Sequence, residues 1–436
     1  MNLAGLKVVV VGIARSGLSA ALFLKSKGAT VYATDSGDSQ EVRGNAEKLK
    51  SHGIDAETGG HTESFVKGKE LMVVSPGVDS SSEVIGWGKK YGLHIISEME
   101  LGYLFCKGRI IAITGTNGKS TTTELIGNII RESGLPVVVC GNIGNPFTNE
   151  IENITPSHFV VLEVSSFQLE WVEKFKPYIS IILNITDDHL DRHKGFAEYA
   201  NLKKRIYMNQ DRADFLILNH EDPNLAGLDK NVSPKILYFS RENVKDIQPI
   251  DSANLKGLHN LDNIMASVWV CRIIGIGQAH INRGISSFSA LPHRFQTVAE
   301  VDGIEFIDDS KATNVDATLK ALLSLDKPII LIAGGRDKEG NFSLIRDVVR
   351  RKVRELVLIG EAGEKIKSFM NGVTSIHEAG SLEEAVELAA RIAHKGEAVL
   401  LSPMCSSFDM FKDYAERGEV FIKAVEKFAM KMTNVQ

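Results

Sequence analysis

An apolar stretch early in the second hundred residues leads directly into residues that could bind phosphate. It reads Arg109-Ile-Ile-Ala-Ile-Thr-Gly115-Thr-Asn-Gly118-Lys119-Ser120-Thr121. A buried strand, a glycine-rich turn and a helix are predicted here, with backbone N–H groups at the helix start facing an anion. Lys119 would add positive charge, and the hydroxyl of Ser120 or Thr121 could ligate Mg²⁺. The pattern predicts a nucleoside triphosphate site, with ATP as the first choice. The predicted loop residues are Gly115, Thr116, Asn117, Gly118, Lys119, Ser120 and Thr121.

Two later apolar runs also end in charged side chains. Residues 159–163 form a strand-like run that ends in Glu163, where a carboxylate in a phosphate-loop protein could hold Mg²⁺ directly or through water. Residues 179–184 lead to Asp187, Asp188, His189 and Asp191. That cluster suggests a second cation or a phosphate contact, and a solvated acidic loop is the alternative.

The helix predicted over residues 196–208 has a lysine within its apolar stripe. Lys203 lies four residues from both Tyr199 and Tyr207, so it should point inward, whereas Arg205 points the other way. Burying an ammonium is costly unless it is paired or modified. From chemistry alone, extension of the side chain toward a phosphate is the commoner outcome. The stripe consists of Phe196, Tyr199, Leu202, Ile206 and Tyr207.

The chain begins with a pattern that is similar to a Rossmann βαβ unit. A strand-like run leads into Gly12-Ile-Ala14-Arg15-Ser16-Gly17, and a second strand ends at Asp35. Ala14 replaces the glycine that lets backbone approach a dinucleotide, which weakens a nicotinamide or flavin role. Asp35 could still bind a ribose or base edge, and Arg15 a phosphate. A nucleotide-linked substrate therefore fits better than a redox cofactor.

The last third of the chain shows a new βα alternation after the break at Leu291-Pro-His-Arg294-Phe. Three loops at predicted strand ends, residues 309–314, 334–338 and 402–409, contain charges or hydroxyls. If they converge, they are expected to bind an anion or an amino acid, and a role as turns alone is the alternative. In the helix predicted over residues 257–274, Asn260 and Asn263 share a face. They suit amide hydrogen bonds to a purine edge, although helix capping explains one of them equally well.

These elements predict an α/β protein of three domains. We predict an N-terminal Rossmann-like domain over residues 1–97, a central P-loop ATPase-like parallel sheet over 98–291, and a C-terminal Rossmann-like domain over 292–436. A net charge of −5 without a basic block argues against nucleic acid as a partner. No membrane span or export signal is visible, and the four scattered cysteines favour reduced thiols, so a cytoplasmic location is expected.

Five segments, in this order, resemble the Mur ligase family. They are Thr114-Gly-Thr-Asn-Gly-Lys-Ser-Thr-Thr, Glu163-Val-Ser-Ser-Phe-Gln-Leu-Glu, Asn184-Ile-Thr-Asp-Asp-His-Leu-Asp-Arg, Gly257-Leu-His-Asn-Leu-Asp-Asn and Leu291-Pro-His-Arg-Phe. The resemblance covers essentially the whole chain. The loops that begin at Asp309, Gly334 and Leu401 resemble those of the members that add D-glutamate.

The resemblance implies an ATP-dependent amide ligase of bacterial peptidoglycan synthesis. A monomer is expected, because nothing in the sequence demands more than one copy. The carboxylate of UDP-N-acetylmuramoyl-L-alanine would attack the γ-phosphate, and the amine of D-glutamate would displace phosphate from the acyl phosphate. A ligase of the same family that adds another amino acid is the alternative. Outside the family, the rivals are an NAD-dependent oxidoreductase fused to an ATPase and a non-catalytic nucleotide sensor.

The resemblance also implies a role for individual residues. Lys119, His189 and Lys203 would be catalytic, and Ser120, Glu163, His189 and Lys203, the last carbamylated by CO₂, would hold two Mg²⁺ ions. Beyond the loop, the ATP contacts would be Asn260, Asn263, Arg294, Asp309 and Lys311. The UDP-substrate would contact Arg15, Ser16, Asp35, Ser36, Ser75, Gly77, Asn142, Ser165 and Gln168. D-glutamate would contact Thr313, Lys338, Ser407 and Phe408.

Overall fold

The computed structural model describes residues 1–190, 192–228, 232–242, 255 and 258–433, with the side chains of residues 258, 259 and 433 left out. Asp191 and Gly257, which belong to the segments discussed above, lie outside the described residues. Three sheets with helices between their strands confirm the predicted α/β class, with two parallel sheets and one mixed sheet. No helix in the described ranges is both long and apolar enough to cross a membrane.

The first sheet is parallel throughout and has the strand order β3-β2-β1-β4-β5. Its central strand is buried on both faces, because Val8, Val9, Val10 and Val11 are all fully inaccessible, as expected for a parallel sheet covered by helices. Its strands are β1 Lys7–Val11, β2 Thr30–Thr34, β3 Asp55–Glu57, β4 Leu71–Val74 and β5 His94–Ser97. The helices are α1 Arg15–Ser26, α2 Gln40–Ser51, α3 Glu63–Val66, α4 Glu83–Lys90 and α5 Glu98–Phe105.

The second sheet is also parallel, with the order β11-β10-β9-β6-β8-β7. The strand that precedes the glycine-rich loop is therefore central, and the strand that ends in Glu163 is its direct neighbour. The strands are β6 Arg109–Thr114, β7 Val137–Gly141, β8 Phe159–Glu163, β9 Ile179–Ile182, β10 Phe215–Asn219 and β11 Lys235–Phe239. The helices are α6 Lys119–Glu132, α7 Phe147–Glu150, α8 Ser166–Leu169, α9 Phe196–Lys204, α10 Leu258–Ile273 and α11 Gln278–Ser286.

The third sheet has the order β12-β13-β17-β14-β15-β16 and is mixed. Its first strand runs antiparallel to its neighbour, whereas the sequence had suggested a new alternation only from Gly303 onward. Asp302 and Gly303 join the two strands with φ angles of 51° and 74°, as in a tight hairpin. The strands are β12 Gln296–Val301, β13 Ile304–Asp308, β14 Ile329–Gly334, β15 Val353–Ile359, β16 Ser375–Glu378 and β17 Ala398–Leu401. The helices are α12 Val315–Leu323, α13 Arg346–Lys352, α14 Gly363–Met370, α15 Leu382–Ile392 and α16 Tyr414–Thr433.

Packing divides the chain into two compact units. The first comprises Met1–Ile185, Ala197–Ile250 and Asp262–Ser286, and it contains the first two sheets. The second comprises Thr186–Phe196, Asp251–Leu261 and Ser287–Gln436, and it contains the third sheet. Alternating residues of β14 and β15 enter separate cores on the two faces of that sheet. The three domain limits taken from the sequence remain predictions.

Candidate functional site

The loop between β6 and α6 has the backbone shape of an anion-binding turn. Gly115 and Gly118 have φ angles of 156° and 88°, and α6 begins at the next residue, Lys119. A Cβ at Gly118 would lie only 2.3 Å from Oδ1 of Asn263, so both conformation and space favour glycine there. The start of α6 therefore presents backbone N–H groups and a positive helix end beside a lysine.

An asparagine after the neighbouring strand β9 holds this loop in place. The N–H of Asn117 donates to Oδ1 of Asn184 at 2.8 Å, and Nδ2 of Asn184 donates to the Asn117 carbonyl at 3.0 Å. The N–H of Thr116 donates to the Asn184 carbonyl at 2.9 Å. These three bonds fix the loop by means of protein groups alone, so the turn is shaped before an anion arrives.

Two ammonium groups meet at one carbonyl of the loop. Lys119 Nζ donates to the carbonyls of Gly115 and Thr116 at 2.9 Å each, and Lys203 Nζ donates to the same Gly115 carbonyl at 2.9 Å. Lys203 is only 1% exposed and lies 4.4 Å from the ring centre of Tyr199, which confirms the inward orientation predicted from the helix pattern. Two like charges this close repel each other, so the pair favours either an anion between them or a change in one lysine.

The carboxylate at the end of β8 has one oxygen that fits a cation. Glu163 is 2% exposed, and its Oε1 accepts a hydrogen bond of 2.7 Å from Nδ2 of Asn142. Its Oε2 is buried and has no hydrogen-bond partner within the described part of the chain. A buried, unpaired carboxylate oxygen is costly, and coordination of Mg²⁺ would remove that cost. These donors therefore suit the divalent cation that the sequence predicted.

That cation would need oxygen atoms from elsewhere. Among the described residues, no three His, Cys, Asp or Glu side chains come together as a metal site. Mg²⁺ commonly takes one or two carboxylates and completes its shell with substrate phosphates and water. Ser120, 7% exposed in the first turn of α6, is a further oxygen donor on the same loop.

Asp35 and Ser75 both contact the first glycine turn. Asp35 accepts N–H bonds of 2.7 Å from Ile13 and from Gly37, so it joins the ends of β1 and β2. The hydroxyl of Ser75 donates to the Gly12 carbonyl at 2.7 Å. Asp35 and Ser75, which were both predicted to contact the UDP-substrate, therefore stabilise the shape of this turn. Of the other residues predicted there, Arg15, Ser36 and Gly77 are exposed and Ser16 is half-buried.

Ser165 and Gln168 have an architectural role in the structure. The Ser165 hydroxyl accepts the N–H of Gln168 at 3.3 Å, and Oε1 of Gln168 accepts the N–H of Ser165 at 3.0 Å. This reciprocal pair is a capping box that starts α8 directly after the strand of Glu163. Their predicted contact with the UDP-substrate remains a prediction.

In the second unit, an ion pair between Asp188 and Lys338 lies on the wall of a cavity of about 110 Å³. Lys338 Nζ donates to Oδ1 of Asp188 at 2.6 Å, and Nδ2 of Asn314 donates to Oδ2 at 3.1 Å. Burial alone would raise the pKa of Asp188, but the charge of Lys338 and these hydrogen bonds lower it to about 2. The cavity is lined by Thr186, Asp187, Asp188, Leu190, Thr313, Asn314, Val315, Asp316, Leu319, Asp337, Lys338, Glu339, Gly340, Asn341, Leu344 and Met404.

The cavity brings together two of the four predicted amino-acid contacts. Thr313 and Lys338 line it, whereas Ser407 and Phe408 do not. Ser407 is 2% exposed, and Phe408 is 64% exposed. His189 follows Asp188 with a left-handed φ of 56°, and its Nε2 lies 3.7 Å from Oδ2 of Asp188.

The three charged loops at the strand ends of the third sheet converge. Oδ2 of Asp309 accepts the hydroxyl of Ser402 at 3.0 Å, and the backbones of Arg336 and Ser406 exchange bonds of 2.9 and 3.0 Å. Burial is the main cause that raises the pKa of Asp309 to about 7. This convergence follows from the sheet order, because β13, β17 and β14 are neighbours.

The remaining predicted ATP contacts lie in separate surroundings. Lys311 Nζ is 3.8 Å from the ring centre of Tyr414, and Arg294 is half-buried. Asn263 accepts the Thr122 hydroxyl at 3.2 Å and is 3% exposed. Asn260, on the same helix α10, is 8% exposed.

A fully buried arginine escaped the sequence reasoning. Arg417 on α16 donates to the Ser310 carbonyl at 2.8 Å, the Ser310 hydroxyl at 3.0 Å and the Cys405 carbonyl at 3.2 Å. Burial lowers its pKa to about 10. It therefore joins two of the three converging loops. Nothing in its local sequence distinguishes it from a solvated arginine, and the Ser310 loop that it contacts lies 107 residues away along the chain.

A glycine loop between a central parallel strand and a helix, with a lysine in the loop and a buried carboxylate on the next strand, defines a phosphate-loop nucleotide-binding protein of the α/β class. Comparison with known families refines this class. The Mur ligase MurD-like N-terminal domain matches residues 6–97, the Mur ligase middle domain 113–253, and the Mur ligase glutamate ligase domain 293–405. The chain belongs to the Mur ligase family.

Individual relatives match over nearly their full length. The chain is 40% identical to the UDP-N-acetylmuramoylalanine--D-glutamate ligase of Koribacter versatilis, with 98% of this chain and 99% of the relative covered. It is 42% identical to the protein of that name from Caldanaerobacter subterraneus, with the same coverage. Among solved structures, a pseudomurein peptide ligase type C from Methanothermus fervidus shares the fold, with a TM-score of 0.61, 22% identity, and coverage of 97% of this chain and 100% of that one.

Proposed function

We propose that this protein is an ATP-dependent amide ligase that adds D-glutamate to UDP-N-acetylmuramoyl-L-alanine in bacterial peptidoglycan synthesis. The observation that supports this most directly is the match, at about 40% identity over nearly the whole chain, to ligases named for that reaction. The phosphate loop and the carboxylate of Glu163 supply the chemistry that such a reaction needs.

In the first half of the reaction, the terminal carboxylate of the UDP-substrate attacks the γ-phosphorus of ATP. A bond forms between carboxylate oxygen and phosphorus, the bond to the β,γ-bridging oxygen breaks, and ADP leaves. Lys119 and the N–H groups at the start of α6 would bind the charge on the transferring phosphoryl group. Mg²⁺, when bound, would neutralise further phosphate charge, with Glu163 and Ser120 as the residues that hold it.

Lys203 would complete this site after carbamylation by CO₂. The change would replace a buried ammonium with a carboxylate-like group, which would pair with Lys119 and offer oxygen atoms to a second Mg²⁺. Support comes from the burial of Lys203 and from the Gly115 carbonyl that both lysines contact. His189 is the other residue that we assign to the second cation.

In the second half, the amine of D-glutamate attacks the acyl carbon. The carbon–nitrogen bond forms, the bond from the acyl carbon to the phosphate oxygen breaks, and phosphate leaves while the amine gives up a proton. Lys338 and Thr313 are the residues we assign to the D-glutamate carboxylates, because both line the cavity of the second unit. Ser407 and Phe408 remain predicted contacts outside that cavity.

The other assignments from the sequence form part of this proposal. The UDP moiety would lie at the turn of Gly12, where Asp35 and Ser75 meet. Residues 1–97, 98–291 and 292–436 would bind the UDP-substrate, ATP and the amino acid, respectively. Dependence on ATP makes the cytoplasm the expected location, and a monomer is the expected state.

The proposal is tested by phosphate release with ATP, Mg²⁺, UDP-N-acetylmuramoyl-L-alanine and single amino acids of both configurations. We expect release with D-glutamate and not with L-glutamate, L-alanine or diaminopimelate. Release with a different amino acid would retain the ligase chemistry but overturn the assignment of the last domain. No release with any amino acid would overturn the proposed function. Lys119→Ala should abolish release, whereas Lys107→Ala, a change of another lysine just before β6, should not.

A further inference from the structure

Lys338 is not available to a ligand carboxylate in this structure. Its ammonium lies 2.6 Å from Oδ1 of Asp188, and the two side chains are only 14% and 8% exposed. A ligand carboxylate that is to bind Lys338 must therefore displace Asp188. That displacement leaves Asp188 buried without its cation, which is costly unless the same ligand supplies another one.

The other carboxylates on the cavity wall are arranged differently. Asp316 is paired with Lys320 one turn along α12, at 2.7 Å, and Asp337 with Lys365. Glu339 is exposed. Asp188 and Lys338 differ from these carboxylates because both members of the ion pair line the cavity and both are largely buried.

Asp188 is the fixed member of the pair and Lys338 is the adjustable one. Oδ2 of Asp188 is bound to Nδ2 of Asn314 at 3.1 Å, while Oδ1 of Asn314 caps α12 through the N–H of Ala317 at 2.8 Å. Asp188 therefore keeps a partner when Lys338 leaves. Lys338 has a long flexible side chain on the loop after β14 and can reorient at little cost.

We propose that Asp188 and Lys338 form an exchangeable ion pair that recognises D-glutamate as a zwitterion, with Lys338 transferring to a carboxylate of the amino acid and Asp188 receiving its ammonium group. This inference rests on the proposed function and adds a residue, Asp188, that selects for the amine. One internal ion pair is replaced by two pairs with the ligand. A dicarboxylate without an amine would break the internal pair without compensating Asp188.

The test compares D-glutamate with glutarate, which has both carboxylates but no amine, by calorimetric titration in the presence of UDP-N-acetylmuramoyl-L-alanine and a non-hydrolysable ATP analogue. In the wild type we expect glutarate to bind about 10- to 100-fold more weakly than D-glutamate. Asp188→Asn should bind D-glutamate about 10- to 100-fold more weakly, and glutarate at least as tightly as the wild type does, because Lys338 is then free.

Glu305→Gln is the matched control, since Glu305 is a partly buried carboxylate that is also paired with a lysine, Lys327 at 2.8 Å, and it does not line the cavity. It should change neither affinity by more than about twofold. Equal affinity of the wild type for the two ligands would overturn the inference, and so would an equal loss of both ligands in Asp188→Asn. The comparison of D-glutamate and glutarate binding to the wild type tests the inference even if Asp188→Asn does not fold. Absence of D-glutamate turnover in the wild type would instead overturn the proposed function.

Discussion

Gly17 on α1 is the position where a single methyl group should most directly disturb the Gly12 turn, which we propose as the UDP site. A Cβ there would lie 1.7 Å from the Gly12 carbonyl oxygen and 2.7 Å from the hydroxyl of Ser75, whereas real Cβ contacts are essentially never shorter than 3.0 Å. The Gly12 carbonyl would have to move by about 1.3 Å. It would then lose its 2.7 Å bond from Ser75 and pull Ile13 away from Asp35.

Gly17→Ala is expected to lower kcat/KM strongly and the unfolding free energy moderately. Overpacking against backbone costs about 1–3 kcal/mol, and the lost Ser75 bond adds about 1 kcal/mol. A misplacement of about 1 Å in a binding group lowers kcat/KM by about 100-fold. We expect Gly17→Ala to lower kcat/KM for the UDP-substrate by about that factor and to leave the KM for ATP unchanged, because the phosphate loop belongs to another sheet.

The assay combines initial-rate kinetics with urea unfolding followed by circular dichroism. Gly44→Ala is the matched control, because Gly44 lies within α2 with open space around its Cβ position. Alanine there should stabilise the helix by about 0.5–1 kcal/mol and leave both KM values unchanged. If Gly17→Ala matched the wild type in urea midpoint and in kcat/KM, the close approach of α1 to the Gly12 turn would not matter, and this reasoning would be refuted.

Three further predictions concern buried charges. Removal of CO₂ and bicarbonate should lower wild-type turnover, and added bicarbonate should restore it. Lys204→Ala, the control, should respond in the same way, whereas Lys203→Ala should be inactive with or without bicarbonate. Turnover by Lys203→Ala would contradict carbamylation. Because the pKa of Asp309 is raised to about 7, the folded state holds a proton that the unfolded state loses near pH 4. The unfolding free energy of the wild type relative to Asp309→Asn should therefore fall as pH rises from about 4 to 7. The fall should be at most about 4 kcal/mol, since Asp309 is partly exposed. An increase in this free energy over the same pH range, measured by urea unfolding, would refute the prediction. The Glu100 carboxylate accepts hydrogen bonds from the backbone N–H groups of Glu173, Lys174 and Phe175. Glu100→Ala should therefore lower the unfolding free energy by about 3 kcal/mol or more. The control Glu41→Ala, at an exposed position, should lower it by about 0.5 kcal/mol or less.

The sequence predicted the central strands β1, β6 and β14 most clearly. Parallel central strands are buried on both faces, so β1, β6 and β14 read as continuous apolar runs. The strands it did not predict include the edge strands β3 and β16, whose sequences Asp-Ala-Glu and Ser-Ile-His-Glu contain few apolar residues. β12 was missed as well, although the Asp302-Gly303 pair is a strong hairpin signal.

The site was predictable where its chemistry is local in sequence. Glycines, lysine and hydroxyls lie together in the phosphate loop, and the inward orientation of Lys203 followed from the spacing of its own helix. The pair of Asp188 and Lys338 could not be foreseen, because its members are 150 residues apart. The same holds for Arg417, which contacts Ser310 from 107 residues away. Only the folded sheet brings such partners together.

The order of strands in the third sheet has a consequence for protein synthesis. β17 lies between β13 and β14, so the last strand to leave the ribosome occupies an inner position of the sheet. The first sheet, by contrast, is complete once residue 97 has emerged. Domains tend to fold as they are made, so the N-terminal part can form while β12 to β16 still lack the strand that joins them. A ribosome stalled before residue 398 would therefore present an open, unpaired sheet to chaperones and proteases.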